Sequence, residues 1–148
     1  MYEPIRTKSV HTMAGTTSSD FPHRSREEEL DIQLAGHLAA LLATTDALRA
    51  VAPSADLDTA AGRLAAQVAR LRGGRPPVRS TVAPAGDGRN VGELHRRAHA
   101  LAGRALVVAA SRADTVAAIL AAERMDAHAA AEGTASTPEP ASRELAAH

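Results

Sequence analysis

The stretch SREEELDIQLAGHLAALLATTDALRA, residues 25–50, decides the fold class. Ser25 and Glu28 have the spacing of a capping box, and the acidic residues after Ser25 suit the positive end of a helix dipole. Pro53 stops the pattern, because a residue before proline is pushed out of the helical region. A helix over 26 to about 50 is therefore predicted, and one side of it is lined at helical spacing by Leu30, Leu34, Leu38, Leu41 and Leu48.

Two further amphipathic segments follow. Ser54 or Asp56 can cap a second helix, which Gly73-Gly74 ends. Asn90 and Glu93 have the spacing of a capping pair and predict the start of a third helix.

The length of that third helix is open. No glycine or proline lies between Arg104 and Glu132, so the first prediction is one continuous helix of about 40 residues, roughly 60 Å long, that ends at Gly133. The alternative is a break near Ser111 to Asp114, where Ser111-Arg-Ala-Asp114 can cap a fourth helix.

These segments predict an all-α protein, an antiparallel bundle of three long helices or, with the break, of four. We expect a disordered arm over residues 1–24 and a helical domain over 25–132 that contains an irregular loop over 73–89. Residues 133–148 are expected to form a disordered tail.

The composition predicts a thin core. The chain of 148 residues has 35 alanines but only 27 Leu, Ile, Val and Phe residues together. Alanine buries little area, so burial of further surface in a homo-oligomer is expected. Glycines at positions 36, 62 and 103 interrupt predicted helices and indicate close helix crossings.

Several classes are excluded or disfavoured. Without cysteine there is no disulfide scaffold, thiol nucleophile or Cys-ligated metal site. No stretch is apolar enough to cross a bilayer and the first residues lack an apolar leader core, so we expect a soluble cytoplasmic protein.

The first thirteen residues, MYEPIRTKSVHTM, contain the only Tyr and the only Lys. One interpretation is a disordered leader, with Met13 as the true start instead of Met1. The other is a short docking peptide for a protein partner, in which apolar anchors combine with basic charge. Its residues are Tyr2, Ile5, Arg6, Lys8 and Val10.

The neutral total charge hides a pattern. Residues 1–62 have 5 basic and 9 acidic side chains, residues 63–104 have 9 and 2, and residues 105–148 have 3 and 6. The basic middle could bind phosphate groups or nucleic acid, or it could pair internally with the acidic segments, in which Glu123 is a candidate partner for Arg112 or for an arginine of a neighbouring helix. The candidate phosphate-contacting residues are Arg70, Arg72, Arg75, Arg79, Arg96 and Arg97.

His95 and His99 lie four residues apart on a helix and project side by side. With His37 they would give the three protein ligands of a catalytic zinc or nickel site. The alternative is two solvated histidines, and His128 is expected to be exposed.

No nucleophile elbow, phosphate-binding loop or HExxH segment occurs. The sequence therefore favours a non-enzymatic, oligomeric helical interaction or regulatory protein that binds a protein partner and needs no cofactor. Nucleic-acid or nucleotide binding by segment 63–104 is the first alternative, and a His-ligated metalloenzyme is the second.

Overall fold

The computed structural model describes residues 25–79 and 90–136, and within these ranges all regular structure is helical. The helices are α1 (Arg26–Val51), α2 (Ala55–Leu71), α3 (Val91–Arg112) and α4 (Thr115–Ser136). The all-α prediction is confirmed, with four helices. The expected N-terminal arm, the loop residues 80–89 and residues 137–148 lie outside the described residues.

The predicted helix starts are confirmed. Ser25 Oγ accepts from the Glu28 N–H at 3.1 Å while Glu28 Oε1 accepts from the Ser25 N–H at 2.9 Å, which is a complete capping box. Ser54, rather than Asp56, caps α2. Asn90 caps α3 by accepting from the Glu93 N–H.

Glycine ends α2 as predicted. Gly73 has φ +73° and Gly74 has φ +92°, a backbone region that residues other than glycine rarely adopt. The Gly74 N–H donates to the Ala69 carbonyl at 2.7 Å, so the turn satisfies a carbonyl that the helix leaves open.

The prediction of one long helix after Asn90 is wrong, and the alternative prediction of a break near Ser111 to Asp114 is confirmed. Ala113 adopts the left-handed conformation, φ +60° and ψ +36°. The Asp114 N–H donates back to the Ala109 carbonyl at 2.9 Å, and Asp114 Oδ1 accepts from the Ala117 N–H at 3.1 Å. Asp114 therefore closes α3 through its backbone and caps α4 through its side chain.

The prediction that Gly133 ends the last helix is also wrong. Helix α4 continues through Gly133 to Ser136. A single glycine lowers helix propensity by only about 1 kcal/mol, and the alanines before it favour continuation.

The helices form an antiparallel four-helix bundle. Helix α1 packs against α2 and α3, α3 packs against α4, and α2 and α4 make a smaller contact. Arg112 at the end of α3 bonds to Asp31 near the start of α1, and Arg70 at the end of α2 bonds to Asp114 at the start of α4. Neighbouring helices therefore run in opposite directions throughout.

This arrangement explains the long connection after α2. Because α2 and α3 are both antiparallel to α1, they are parallel to each other, so the chain must return along the bundle. By residue 79 it has reached the last third of α1, where the Arg79 guanidinium bonds both carboxylate oxygens of Asp46, at 2.8 and 2.9 Å.

The core consists of leucine and alanine with one valine. The main cluster joins all four helices around Leu38, Leu64, Leu101 and Leu120. A second cluster, Leu48, Leu57 and Leu94, lies where α1 ends and α2 and α3 begin.

Close helix crossings are predicted at three glycines, and the prediction is wrong for two of them, Gly36 and Gly62. A Cβ atom built on Gly36 or Gly62 would meet nothing within 4 Å, and one on Gly103 would make an ordinary contact with Met125. No helix of the described residues combines the length and apolar character needed to cross a bilayer.

Candidate functional site

Half of the candidate phosphate-binding arginines are paired with carboxylates of the chain. Arg70 bonds Asp114 at 2.8 Å, Arg79 bonds Asp46, and Arg96 lies 4.0 Å from Glu132. The basic middle is thus interleaved with acidic groups.

No ion pair within the described residues involves the remaining three, Arg72, Arg75 and Arg97.

Glu123 pairs with Arg63 of the neighbouring α2 at 2.8 Å and not with Arg112. The docking-peptide residues Tyr2, Ile5, Arg6, Lys8 and Val10 lie outside the described residues.

The predicted three-histidine group does not form. Among the described residues no set of three or more His, Asp or Glu side chains is arranged to hold a metal ion. His95 pairs instead with His128 of α4, with 2.8 Å between the two Nδ1 atoms. His37 and His99 make no hydrogen bond to this pair.

The expectation that His128 is exposed is wrong, since the residue is 1% exposed. It occupies the core side of α4, one helical turn after Arg124, which is 4% exposed. The sequence contained the signal: positions 117, 121, 124 and 128 lie on one face at helical spacing. Two polar residues at its end masked the continuation of the apolar face.

The hydrogen bonds of His128 define its tautomer. Arg124 Nη2 is 3.4 Å from His128 Nε2, and a guanidinium can only donate. His128 Nε2 is therefore the acceptor, so its proton is on Nδ1 and is donated to Nδ1 of His95. His95 is in turn left with its proton on Nε2.

The surroundings keep both rings neutral. Burial, with the charges of Arg124 and His95, lowers the pKa of His128 to about 4. Burial also lowers the pKa of His95, against the raising effect of Glu132. A further proton on His95 Nδ1 would place its N–H against the Nδ1–H of His128, and one on His128 Nε2 would face the N–H groups of Arg124.

Arg124 has few acceptors for a buried cation. Its Nη1 lies 3.1 Å from Oδ2 and 3.4 Å from Oδ1 of Asp56, in the first turn of α2. The Asp56 side chain is 67% exposed, and Arg124 Nε has no hydrogen-bond partner among the described residues.

These groups line a cavity of about 260 Å³ between the start of α2, His95 of α3 and the second half of α4. Arg124, His128, Asp56 and Ser54 supply its polar wall. Its apolar wall is formed by Ala52, Leu57, Ala127 and Ala131.

A second feature lies at the other end of the bundle, on the outside of the α3–α4 hairpin. An open groove of about 270 Å³ runs between the two helices and is lined by Ile119 and five alanines, with Asp114 and Thr115 at the turn. Ile119 is 52% exposed and Val107, one turn from Ala110 of the groove, is 66% exposed. We call the outward surface of Val107, Ala110, Ile119 and Ala122 the hairpin face.

No protein-family model, curated protein or solved structure matches this chain. Support for a function therefore comes from the geometry of the cavity beside Arg124 and of the hairpin face.

Proposed function

We propose that the protein is a non-enzymatic helical interaction protein that forms a homodimer through the hairpin face. The observation that carries the proposal is the exposed Ile119 beside an alanine-lined groove. A large aliphatic side chain next to a groove of small residues can insert into the same groove of a second copy. A two-fold interface requires that kind of self-complementary surface.

Charge on the two helices supports this occupant. Arg104 is exposed on the outer side of α3 and Asp126 is exposed on the outer side of α4, and neither makes an ion pair within the described residues. Arg104 lies about two helical turns before the end of α3 and Asp126 about three turns after the start of α4, so their heights along the bundle differ by only about 5 Å.

A two-fold axis parallel to the helices places α3 of one copy beside α4 of the other. Arg104 then faces Asp126 of the second copy, and the symmetry repeats the pair. The ion pairs around the groove, Asp31–Arg112 and Arg70–Asp114, are internally neutral, so two copies meet there without like-charge repulsion.

The composition of the core gives association an energetic role. Nine of the twenty buried apolar residues are alanines, which contribute little buried area. Covering Val107 and Ile119 in a dimer would add the aliphatic burial that the single chain lacks.

The test is the oligomeric state measured by sedimentation velocity over a range of concentrations. The wild-type chain should be dimeric, and Ile119→Asp should be monomeric, because a charge would be buried in the groove. Val91→Asp is the matched control: Val91 is 37% exposed, away from the hairpin face, at a helix start that tolerates an acid. A monomeric wild type, or equal dissociation of the two variants, would overturn the proposal.

A charge exchange tests the arrangement of the two copies. Arg104→Asp and Asp126→Arg should each weaken the dimer about tenfold, which corresponds to about 1.4 kcal/mol. The double exchange should restore most of the affinity, since the pair is re-formed with reversed signs. Additive weakening in the double variant would contradict this register.

A further inference from the structure

The cavity beside Arg124 contains a cation that the chain satisfies poorly. Arg124 is 4% exposed, and its guanidinium is a cation that needs hydrogen-bond acceptors. A buried guanidinium is unfavourable unless acceptors replace its water. No acceptor in the described part of the chain bonds Arg124 Nε, and the contact to His128 Nε2 is long, at 3.4 Å.

Within residues 25–79 and 90–136, the only carboxylate bonded to Arg124 is that of Asp56, whose side chain is mostly in solvent. Asp56 follows the helix cap by two positions, and its side chain can rotate outwards without disturbing the Ser54 cap, which bonds the Leu57 N–H at 3.1 Å. The bond from Arg124 to Asp56 is therefore exchangeable, whereas Arg124 itself is fixed in the packed core face of α4.

We propose that this cavity is a binding site for a small carboxylate, which binds Arg124 in place of Asp56. Asp56 acts as an internal competitor that neutralises the cation while the site is empty. A carboxylate matches a guanidinium because its two oxygens can accept two N–H groups at once.

The walls define the rest of the ligand. A volume of about 260 Å³ lies just below the range of roughly 300–1,000 Å³ found for drug-sized ligands. Ala52, Leu57, Ala127 and Ala131 give it an apolar side. A short aliphatic monocarboxylate fits this combination better than a fully hydrated anion such as phosphate.

The experiment uses calorimetric titration of the full chain with butyrate, acetate and inorganic phosphate at constant ionic strength. Butyrate should bind more tightly than acetate, because its chain contacts the apolar wall, and more tightly than phosphate. Asp56→Ala should raise the butyrate affinity about tenfold by removing the competitor. Asp58→Ala is the matched control, since Asp58 is also in the first turn of α2 but bonds Arg49 outside the cavity.

Two variants remove the site. Arg124→Gln should abolish butyrate binding, and Ala127→Leu should do so while Arg124 remains, because the added side chain fills the cavity. The second variant keeps the test valid if the first does not fold. Absence of butyrate binding to Asp56→Ala, an equal response of the Asp56 and Asp58 variants, or tighter binding of phosphate than of butyrate would each overturn the proposal.

Discussion

His128 donates a hydrogen bond from its Nδ1 to the Nδ1 of His95 across 2.8 Å, although the two residues are 33 positions apart. Arg124 donates to the other nitrogen of His128, which makes a directed chain from Arg124 through His128 to His95. These two hydrogen bonds connect α3 to α4 at the end of the bundle opposite their covalent connection. Packing of the two helices therefore determines which nitrogen of the buried His128 ring carries the proton.

The direction of this chain is measurable. Nitrogen NMR of the imidazoles near neutral pH should find His128 with its proton on Nδ1 and His95 with its proton on Nε2. Arg124→Gln should remove the preference of His128, since a guanidinium can only donate to its Nε2 whereas a glutamine amide can donate or accept. His128 with its proton on Nε2 in the wild type would contradict the assignment.

Acid should destabilise the fold through His128. Its pKa is about 4 in the folded chain and about 6.5 in the unfolded one, so the unfolded state binds the proton more readily. The stabilisation is complete above pH 6.5 and is lost as pH falls through 4, by up to about 3 kcal/mol. Urea unfolding at several pH values measures it.

His128→Leu should reduce this dependence between pH 6.5 and 4 and leave the part that comes from the lowered pKa of His95, whereas His99→Gln should not reduce it. A further loss at lower pH should come from Asp46 and Asp114. Arg79 lowers the pKa of Asp46 below 3.8, and Arg70 helps to lower that of Asp114 against the effect of burial. Equal slopes in wild type and His128→Leu would exclude His128 as the source.

Local signals in the sequence predicted most of the fold. The caps at Ser25, Ser54 and Asn90 and the glycine end of α2 depend on residues within one helical turn, so they can be recognised without tertiary information. The helix break at Ala113 has a weaker signal in the sequence, because alanine gives no sign of a left-handed turn. Only the capping potential of Asp114 indicated it.

The candidate site depended on long-range pairing. His95 and His128 belong to different helices, and the face of α4 that carries Arg124 and His128 becomes a core face only once α2 and α3 pack on it. The sequence grouped His95 with His37 and His99, whereas its hydrogen-bond partner in the fold is His128. Spacing along one helix cannot show which residue of another helix will meet it.

Replacing Ala113 with glycine should stabilise the protein. An L-residue in the left-handed region costs roughly 1–2 kcal/mol, and glycine removes this strain at an entropic cost of about 0.4–1 kcal/mol in the unfolded state. We expect a net gain of up to about 1.6 kcal/mol in the free energy of unfolding. Ala100→Gly, in the exposed middle of α3, should instead lose about 1 kcal/mol. Destabilisation of similar size in both variants would show that Ala113 is not strained.

Arg79 should fasten the connection after α2 to the bundle. Arg79→Ala should lower the free energy of unfolding by about 0.5 kcal/mol, a small value because both groups remain partly exposed to solvent. Arg79→Lys should recover little, since lysine cannot bond both oxygens of Asp46. Hydrogen exchange should quicken near Val78 in both variants. Arg75→Ala, which breaks no ion pair, should change neither quantity, and a response equal to that of Arg79→Ala would point to a general charge effect.

Gly36→Ala and Gly62→Ala should each raise the free energy of unfolding by about 0.5–1 kcal/mol, because alanine loses less backbone entropy in a helix and both positions open into free space. Gly73→Ala is the opposing control: it also has space for a methyl group, but its φ of +73° strains any side chain, so it should destabilise. Sedimentation of the two helix variants should show the wild-type oligomeric state, since neither position lies on the hairpin face. Dissociation on Gly36→Ala or Gly62→Ala would place the contact between copies on α1 or α2 and contradict the proposed interface.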